Sequence, residues 1–585
     1  MPLRVCLVTP FSWSQPHEVN EHVDGVAAAL RRRGHHVTVV APSNRAADLL
    51  AGRRALARGD YPELIAVGPA VPVSLRSRMG VPVGVKANLA LAIRFGKFDV
   101  VHGFEPGLPS LSYLALLEAE TLAAATFLSP DRLGYPTRKN QREKLLGRVD
   151  TLLATSPETA EAAAARFPGD YRAVTPGVDV TRYAPARKRP LIAVETNAIG
   201  LPLVRAALRG LRELPGWEIA LVRTRPLAGR PPIPLGLRER VHIRSVRRPE
   251  TRAPLLAEAA IFVPAPEGSP RLRLEAMASG CAIADPPGVA AQPELAAAAV
   301  ARLVDDGSLR EQRSAEARAE AEKQSFDVLA GELDLLYTRL ARRRRPRHGD
   351  DDPLAGREWI VADLHMHTRW SHDCSIEPAA LLDHAEAEAL GAIAVTDHNV
   401  FGGALETVEL ARGRELIVIP GEEVKTDGQG EVIGLFLTDE IPRDLSFADT
   451  LAAIREQGGL VYLPHPFDRM HSIPDPATLH HHLAEIDVFE VYNARLLFDA
   501  YNDEALRFAR KYRLLAGAGS DAHVLQGVGT GVLRMRRFEG PEDFLLSLRT
   551  AEVLRRPKSL AYLQSLKWAA QVRRRSASRS AEPIG

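Results

Sequence analysis

Beyond residue 360, five apolar runs in succession end in histidines or carboxylates, and this pattern constrains the chain more than any other. Ile360-Val-Ala-Asp-Leu-His365-Met-His367 is the first. It is followed by Ala392-Ile-Ala-Val-Thr-Asp397-His398-Asn399 and Leu416-Ile-Val-Ile-Pro-Gly-Glu422-Glu423. Gly459-Leu-Val-Tyr-Leu-Pro-His465 and Leu514-Leu-Ala-Gly-Ala-Gly-Ser-Asp521-Ala-His523 complete the series. Short apolar runs with helical stretches between them read as buried parallel strands. Alternation along a strand puts His365 and His367 on one face, the placement that lets two imidazoles chelate one ion. Strand C-termini that share nitrogen and oxygen ligands predict a β/α barrel around a metal site, and this donor mixture suits zinc, manganese or iron. A single Asp-His-Asn reads as a helix cap, but five such endings in one segment exceed what capping explains. Most of the 18 histidines lie in this segment.

The rest of the chain is organised differently. At 585 residues it is long enough for three or four folding units, each with its own core. Arg4-Val-Cys-Leu-Val-Thr9, a helical pattern from about Asn20 to Arg33 that stops at Gly34, and His36-Val-Thr-Val-Val-Ala41 form a βαβ unit. Further runs at 99–102, 151–154, 191–194, 218–222 and 260–263 extend this into two Rossmann-like units, 1–185 and 186–340. Five arginines and three aspartates around Pro346 and Gly349 mark a solvated linker over 341–356. The barrel follows at 357–560, and a C-terminal helix and basic tail at 561–585. The 75 basic and 73 acidic residues give a net charge of +2, so bulk charge offers no case for nucleic-acid binding. Cys6, Cys281 and Cys374 are too few and too scattered for a disulfide framework or a thiolate zinc site. With no apolar run of membrane-spanning length and no secretory segment, the expected location is cytoplasmic, without stable membrane insertion.

In order, Asp-Leu-His-x-His-Thr, Thr-Asp-His-Asn, Gly-x-Glu, His-Pro and Gly-Ser-Asp-Ala-His resemble the PHP (polymerase and histidinol phosphatase) phosphoesterases over about residues 357–560. The resemblance implies a distorted (β/α)7 barrel holding two or three divalent transition metals. It assigns His365, His367, Glu423 and Asp521 to a first ion and makes Glu423 the bridge to a second, which also takes His465. Asp373, His398 and His523 hold a third. Where the family usually has one more histidine, this sequence has Glu431. The implied reaction is metal-assisted phosphoester hydrolysis. His465 and His523 stand both as ligands and as proton donors to the leaving oxygen, and Glu423 joins them as a catalytic residue. Arg369 and Arg469, beside the motifs, either clamp phosphate or are solvated. His480-His-His482 reads as a surface tract.

The N-terminal units resemble the GT-B fold of retaining family 4 glycosyltransferases. The match is carried by Leu7-Val-Thr-Pro-Phe-Ser-Trp-Ser, Val100-Val-His-Gly-Phe-Glu-Pro, Thr175-Pro-Gly-Val-Asp179 and Glu267-Gly-Ser-Pro-Arg-Leu-Arg-Leu-Glu275. In that family the last element contacts the donor sugar and nucleotide ribose, which makes Glu267 and Glu275 the nucleotide-sugar residues. Three positions depart from the pattern. The usual Gly-Gly loop is Pro16-His17-Glu18-Val19, an expected histidine is Leu128, and no Gly-Arg and Lys-Gly pair appears in Val194-Glu-Thr-Asn-Ala-Ile-Gly200. Each lost charge-assisted bond to a diphosphate costs about 1.5–3 kcal/mol, so the donor site reads as degenerate.

The function expected is therefore phosphoester hydrolysis by the barrel, on a small phosphorylated substrate or a nucleic-acid end. The N-terminal part would bind a sugar-linked ligand or serve as scaffold. A bifunctional enzyme with an active glycosyltransferase and a non-catalytic binding protein are the alternatives.

Overall fold

The run Arg4–Val8 is β1, and it is buried because both faces of a parallel sheet are covered by helices. Residues 2–74, 79–197, 199–223, 232–284, 293–346, 351–470, 472–559, 561–562 and 565–566 are described in a computed structural model of the chain. The expected tail from residue 572, the linker centre at 347–350 and Ala198 of the second-unit loop lie outside them. Two units result, Met1–Ala341 and Arg342–Gly585.

In the first unit, α1 (Glu18–Arg32) buries Val19, Val23, Val26 and Leu30, spaced to fall on one helical face. Gly34, at φ +90, turns the chain sharply after the helix into β2 (His36–Ala41). The other strands of this half are β3 (Leu64–Ala66), β4 (Val100–Phe104), β5 (Leu122–Phe127), β6 (Thr151–Ala154) and β7 (Tyr171–Ala173). They are all parallel, in the order β3-β2-β1-β4-β5-β6-β7. The second half has β8 (Arg189–Glu195), β9 (Glu218–Arg223), β10 (Val241–Ser245), β11 (Ala259–Val263), α2 (Pro270–Ala278) and β12 (Ala282–Ile283), ordered β10-β9-β8-β11-β12. In both sheets the order reverses beside the first strand, where doubly wound folds open a crevice.

The helix α3 (Phe326–Ala341) departs from the expected boundary at residue 340. It packs on the first half: Tyr337 Oη lies 2.6 Å from His102 Nδ1, and Arg33 pairs with Asp334 at 3.0 Å. The ring of Phe326 lies so close to Gly25 that a Cβ there would meet it at 2.3 Å.

In the second unit, β13 (Trp359–Met366), β14 (Ala392–His398), β15 (Ile417–Lys425), β16 (Glu431–Leu435), β17 (Leu460–Leu463), β18 (Val488–Asn493) and β19 (Leu515–Gly519) lie side by side in chain order. A hairpin of β20 (Gly531–Arg536) and β21 (Glu552–Arg555) extends the sheet beyond β13. Helices separate the five expected strands, and the additional strand β16 is antiparallel to both β15 and β17. The sheet curls until its ends meet. Met366 bridges Ala522, and a Cβ on Gly519 would lie 2.2 Å from that of His365. The buried Asp363 secures this seam by accepting from Ser520 N and Gly529 N, both at 2.9 Å.

The start of the expected linker is not solvated. Arg345 N donates to Tyr512 O, Arg344 Nε donates to Lys511 O at 2.7 Å, and the Arg345 guanidinium reaches Ile486 O. The first two of these bonds cap the helix Asp499–Tyr512. We expect a fragment begun at Arg342 to fold and keep the barrel's activity, whereas one begun after Arg345 loses about 1–3 kcal/mol through its uncapped carbonyls. Thermal melts of the two fragments followed by circular dichroism check this; equal melting temperatures would remove the capping role.

Candidate metal centre

Each ligand predicted from the sequence arrives at one end of the curled sheet, because successive strands end there. β13 delivers His365 and His367, β14 His398, and β15 Glu423. Glu431 opens β16, His465 follows β17, and Asp521 and His523 follow β19. Asp373 comes from the loop after β13. His465 and Asp521 hold positive φ values of +27 and +52, strain of the kind concentrated at functional sites.

Glu423 is at the centre. Its Oε2 lies 3.1 Å from His398 Nδ1, 3.3 Å from His365 Nε2 and 3.5 Å from His367 Nε2, and its Oε1 lies 3.0 Å from His465 Nε2. Around it, Asp521 Oδ1 is 3.4 Å from His367 Nε2, Asp373 Oδ2 is 3.0 Å from His523 Nε2, and Glu431 Oε2 is 3.7 Å from His465 Nε2. Four overlapping sets of three donors, drawn from eight of the nine expected ligands, gather closely enough to share an ion. Asp373 is in none of them and joins the cluster through His523 and, at 3.9 Å, His398.

Outer hydrogen bonds aim the rings. His365 Nδ1 lies 3.1 Å from Glu490 Oε1, His367 Nδ1 3.3 Å from Ser371 Oγ, and His523 Nδ1 2.9 Å from Asp521 O. In each case the opposite nitrogen is left facing the cluster, the arrangement that fixes a ligating imidazole. The fit to a cation is clearest at His367, whose fully buried Nε2 makes no hydrogen bond among the described residues although two carboxylates flank it. Such a nitrogen is costly unless something else satisfies it.

The electrostatics agree. Burial alone would lower the pKa values of His398 and His465, yet Glu423 overrides it and holds both up at about 9. Glu423 is itself buried, which raises its pKa, but His365 and His398 keep it well below the usual carboxylate range. Glu423 and burial together raise the pKa of Glu431. Without metal, protons hold this cluster together. A histidine whose folded pKa is raised contributes stability that is complete below its unfolded value near 6.5 and is lost as pH climbs through about 9. Metal-stripped protein should therefore lose melting temperature between pH 6.5 and 9, while metal-loaded protein, whose ligands must be deprotonated, should not. Parallel melting curves for the two forms across that range would refute this.

Sequence reasoning missed three residues on and just after β18. The buried Glu490 accepts from His465 N at 2.6 Å and Tyr462 Oη at 2.9 Å besides facing His365. Asn493 Nδ2 lies 3.3 Å from Asp521 Oδ2, and Arg495 Nη1 lies 3.1 Å from Asp521 Oδ1 and 3.3 Å from His523 Nε2. The available signal was an ionisable residue inside the apolar run Val488-Phe-Glu-Val-Tyr. Arg369 is not at the centre: it pairs with Glu377 and Glu406, and Arg469 is exposed. His480 and His482 bond Tyr512 and Glu485, away from the cluster.

The first unit has a cleft of about 1230 Å³. Glu267 lines it, but Glu275, expected beside it, does not. Its buried carboxylate is held by Arg252 Nη2 at 2.8 Å and Arg271 Nε at 2.9 Å. Leu128 and Glu18 and Val19, the first residues of α1, line the wall, as do Arg132, Arg271 and Arg273, so the cleft does hold cations.

Comparison with known proteins matches both units. Residues 363–507 match the model "PHP domain", residues 499–553 the model "PHP-associated", and residues 19–182 the model "Glycosyltransferase Family 4". An uncharacterized protein of Methanocaldococcus jannaschii is 37% identical over 214 residues, which are 34% of this chain and 85% of that protein. The phosphatidyl-myo-inositol mannosyltransferase of Propionibacterium freudenreichii is 32% identical over 167 residues, 28% of this chain and 42% of the enzyme. The chain thus spans less than half of that mannosyltransferase. Among solved structures, a glycosyltransferase of Rickettsia africae is 13% identical with a TM-score of 0.41, covering 58% of this chain and 98% of its own. The C-terminal unit is a PHP domain, a metal-dependent phosphoesterase type, and the N-terminal unit is glycosyltransferase-like. The chain belongs to the PHP family in its C-terminal unit. No helix among the described residues is long and apolar enough to cross a membrane.

Proposed function

We propose that the C-terminal unit hydrolyses a phosphoester with two or three transition-metal ions, and that the N-terminal unit has a degenerate donor site and no longer transfers sugar. The reading rests on the gathering of eight of the nine expected ligands into four overlapping donor sets around Glu423, with Asp373 beside His523. His365, His367, Asp373, His398, Glu423, Glu431, His465, Asp521 and His523 would hold the ions, which supply an activated water and neutralise the phosphoryl oxygens. Arg495, partly exposed beside Asp521, is the cation placed to meet a phosphate there, in preference to Arg369 or Arg469. Whichever of His465 and His523 is not engaged as a ligand would deliver a proton to the leaving oxygen. The substrate is a small phosphorylated molecule or a nucleic-acid end, and the site of action is the cytoplasm.

The test is elemental analysis of purified protein, followed by a panel of phosphometabolites and oligonucleotides with manganese or zinc added. We expect two or three ions per chain and hydrolysis abolished by chelation; less than one ion would sink the proposal. In parallel, common nucleotide-sugar donors should give no sustained sugar transfer. Transfer that Glu275→Ala abolishes would establish the bifunctional enzyme instead.

A further inference from the structure

At the switch point of the second sheet, β8 ends in Glu195, in the stretch where a Gly-Arg pair is missing. Its carboxylate spans two backbone donors of the loop that leads into α2. Oε1 accepts from Ser269 N at 2.8 Å, and Oε2 accepts from Ala265 N at 3.2 Å. The approach to a helix at this switch point is where such a fold places an anion. Here the chain supplies that anion itself. The fit is close: a Cβ on Gly268 would meet Glu195 Oε2 at 2.2 Å, so the loop wraps the carboxylate as it would wrap a phosphate oxygen. Asn197 fastens the same two loops, donating to Pro266 O at 2.7 Å and accepting from Gly200 N at 2.6 Å.

Two of the three arginines lining the cleft repeat the pattern. Arg132 is engaged by Glu18, the first residue of α1, and by Glu105 at 3.1 Å. Arg271 is engaged by Glu21 at 3.2 Å and Glu275 at 2.9 Å. The rest of the wall is largely apolar, with Leu128, Ile199, Leu203 and Met277.

Resting on the reading of a degenerate donor site, we propose that Glu195 is a built-in substitute for a ligand phosphate, so that this cleft excludes nucleoside diphosphates. A diphosphate would have to displace a buried carboxylate from its amides and would meet arginines already neutralised.

The test is calorimetric titration of the full chain with UDP and with inorganic pyrophosphate, comparing wild type with Glu195→Gly and Glu195→Ser. Any binding at the barrel is common to all three proteins and cancels. Removing the carboxylate should tighten diphosphate binding by about tenfold or more, and a second change, Arg271→Ala, should reverse the gain. No gain in a variant with wild-type circular dichroism would overturn the proposal while leaving the degenerate site standing. If neither variant folds, wild type decides: sub-millimolar UDP binding that Arg271→Ala abolishes overturns it, and its absence supports it. Sugar transfer by wild type would instead overturn the underlying reading.

Discussion

Glu423→Gln should empty the metal centre more thoroughly than any other single ligand change. Its carboxylate faces His365, His367, His398 and His465 within 3.5 Å, whereas Asp373 approaches only His523 closely. A neutral amide removes the one negative charge that all four imidazoles share, and it puts an N–H donor where cations would bind. We expect metal content below one ion per chain and a loss in kcat/KM of about 10³-fold or more, equivalent to about 4 kcal/mol of transition-state stabilisation. Asp373→Asn should retain most of its metal. Elemental analysis and kinetics on both variants decide the matter, and greater damage from Asp373→Asn would show that Glu423 does not bridge.

The second large effect concerns a residue that touches no ion. Glu490 is buried at the floor of the centre, where its oxygens take His465 N, Tyr462 Oη and Asn493 Nδ2 and face His365 Nδ1. Glu490→Ala strands these groups away from water at a cost of about 3 kcal/mol or more, and it releases the ring of His365. The expected outcome is a fall of about 5 °C or more in Tm, with metal affinity weakened about 10–100-fold. Glu490→Gln keeps an acceptor for some of these donors and should recover part of both losses. A variant that loses Tm but binds metal as tightly as wild type would restrict Glu490 to a structural part.

How far the sequence reached depended on how local the cause was. β1, β2, β6 and β9 were readable because each is a short apolar run with turn residues at its ends. β5 was not, since Leu-Ala-Ala-Ala-Thr-Phe is as good a helix as a strand until its neighbours bury both faces. The reversal of β16 was hidden for a related reason: five residues from Glu431 fit either direction, and only the tight return from β15 makes the pairing antiparallel.

The candidate site shows the same division. By itself the sequence determined which side chains the barrel can offer a metal, because ligand chemistry is a property of residue type and strand alternation fixes which of them share a face. The sequence motifs already implied that Glu423 bridges, but tertiary structure decided that four imidazoles face it, since that depends on how far the sheet curls before Gly519 meets His365. It also decided that Glu490 and Arg495 belong to the site, that Glu275 is buried beneath the cleft wall, and that Glu195 sits on the amides before α2. Those roles arise from contacts between residues up to 125 positions apart. Such contacts are set by packing, and packing leaves no periodicity in the sequence.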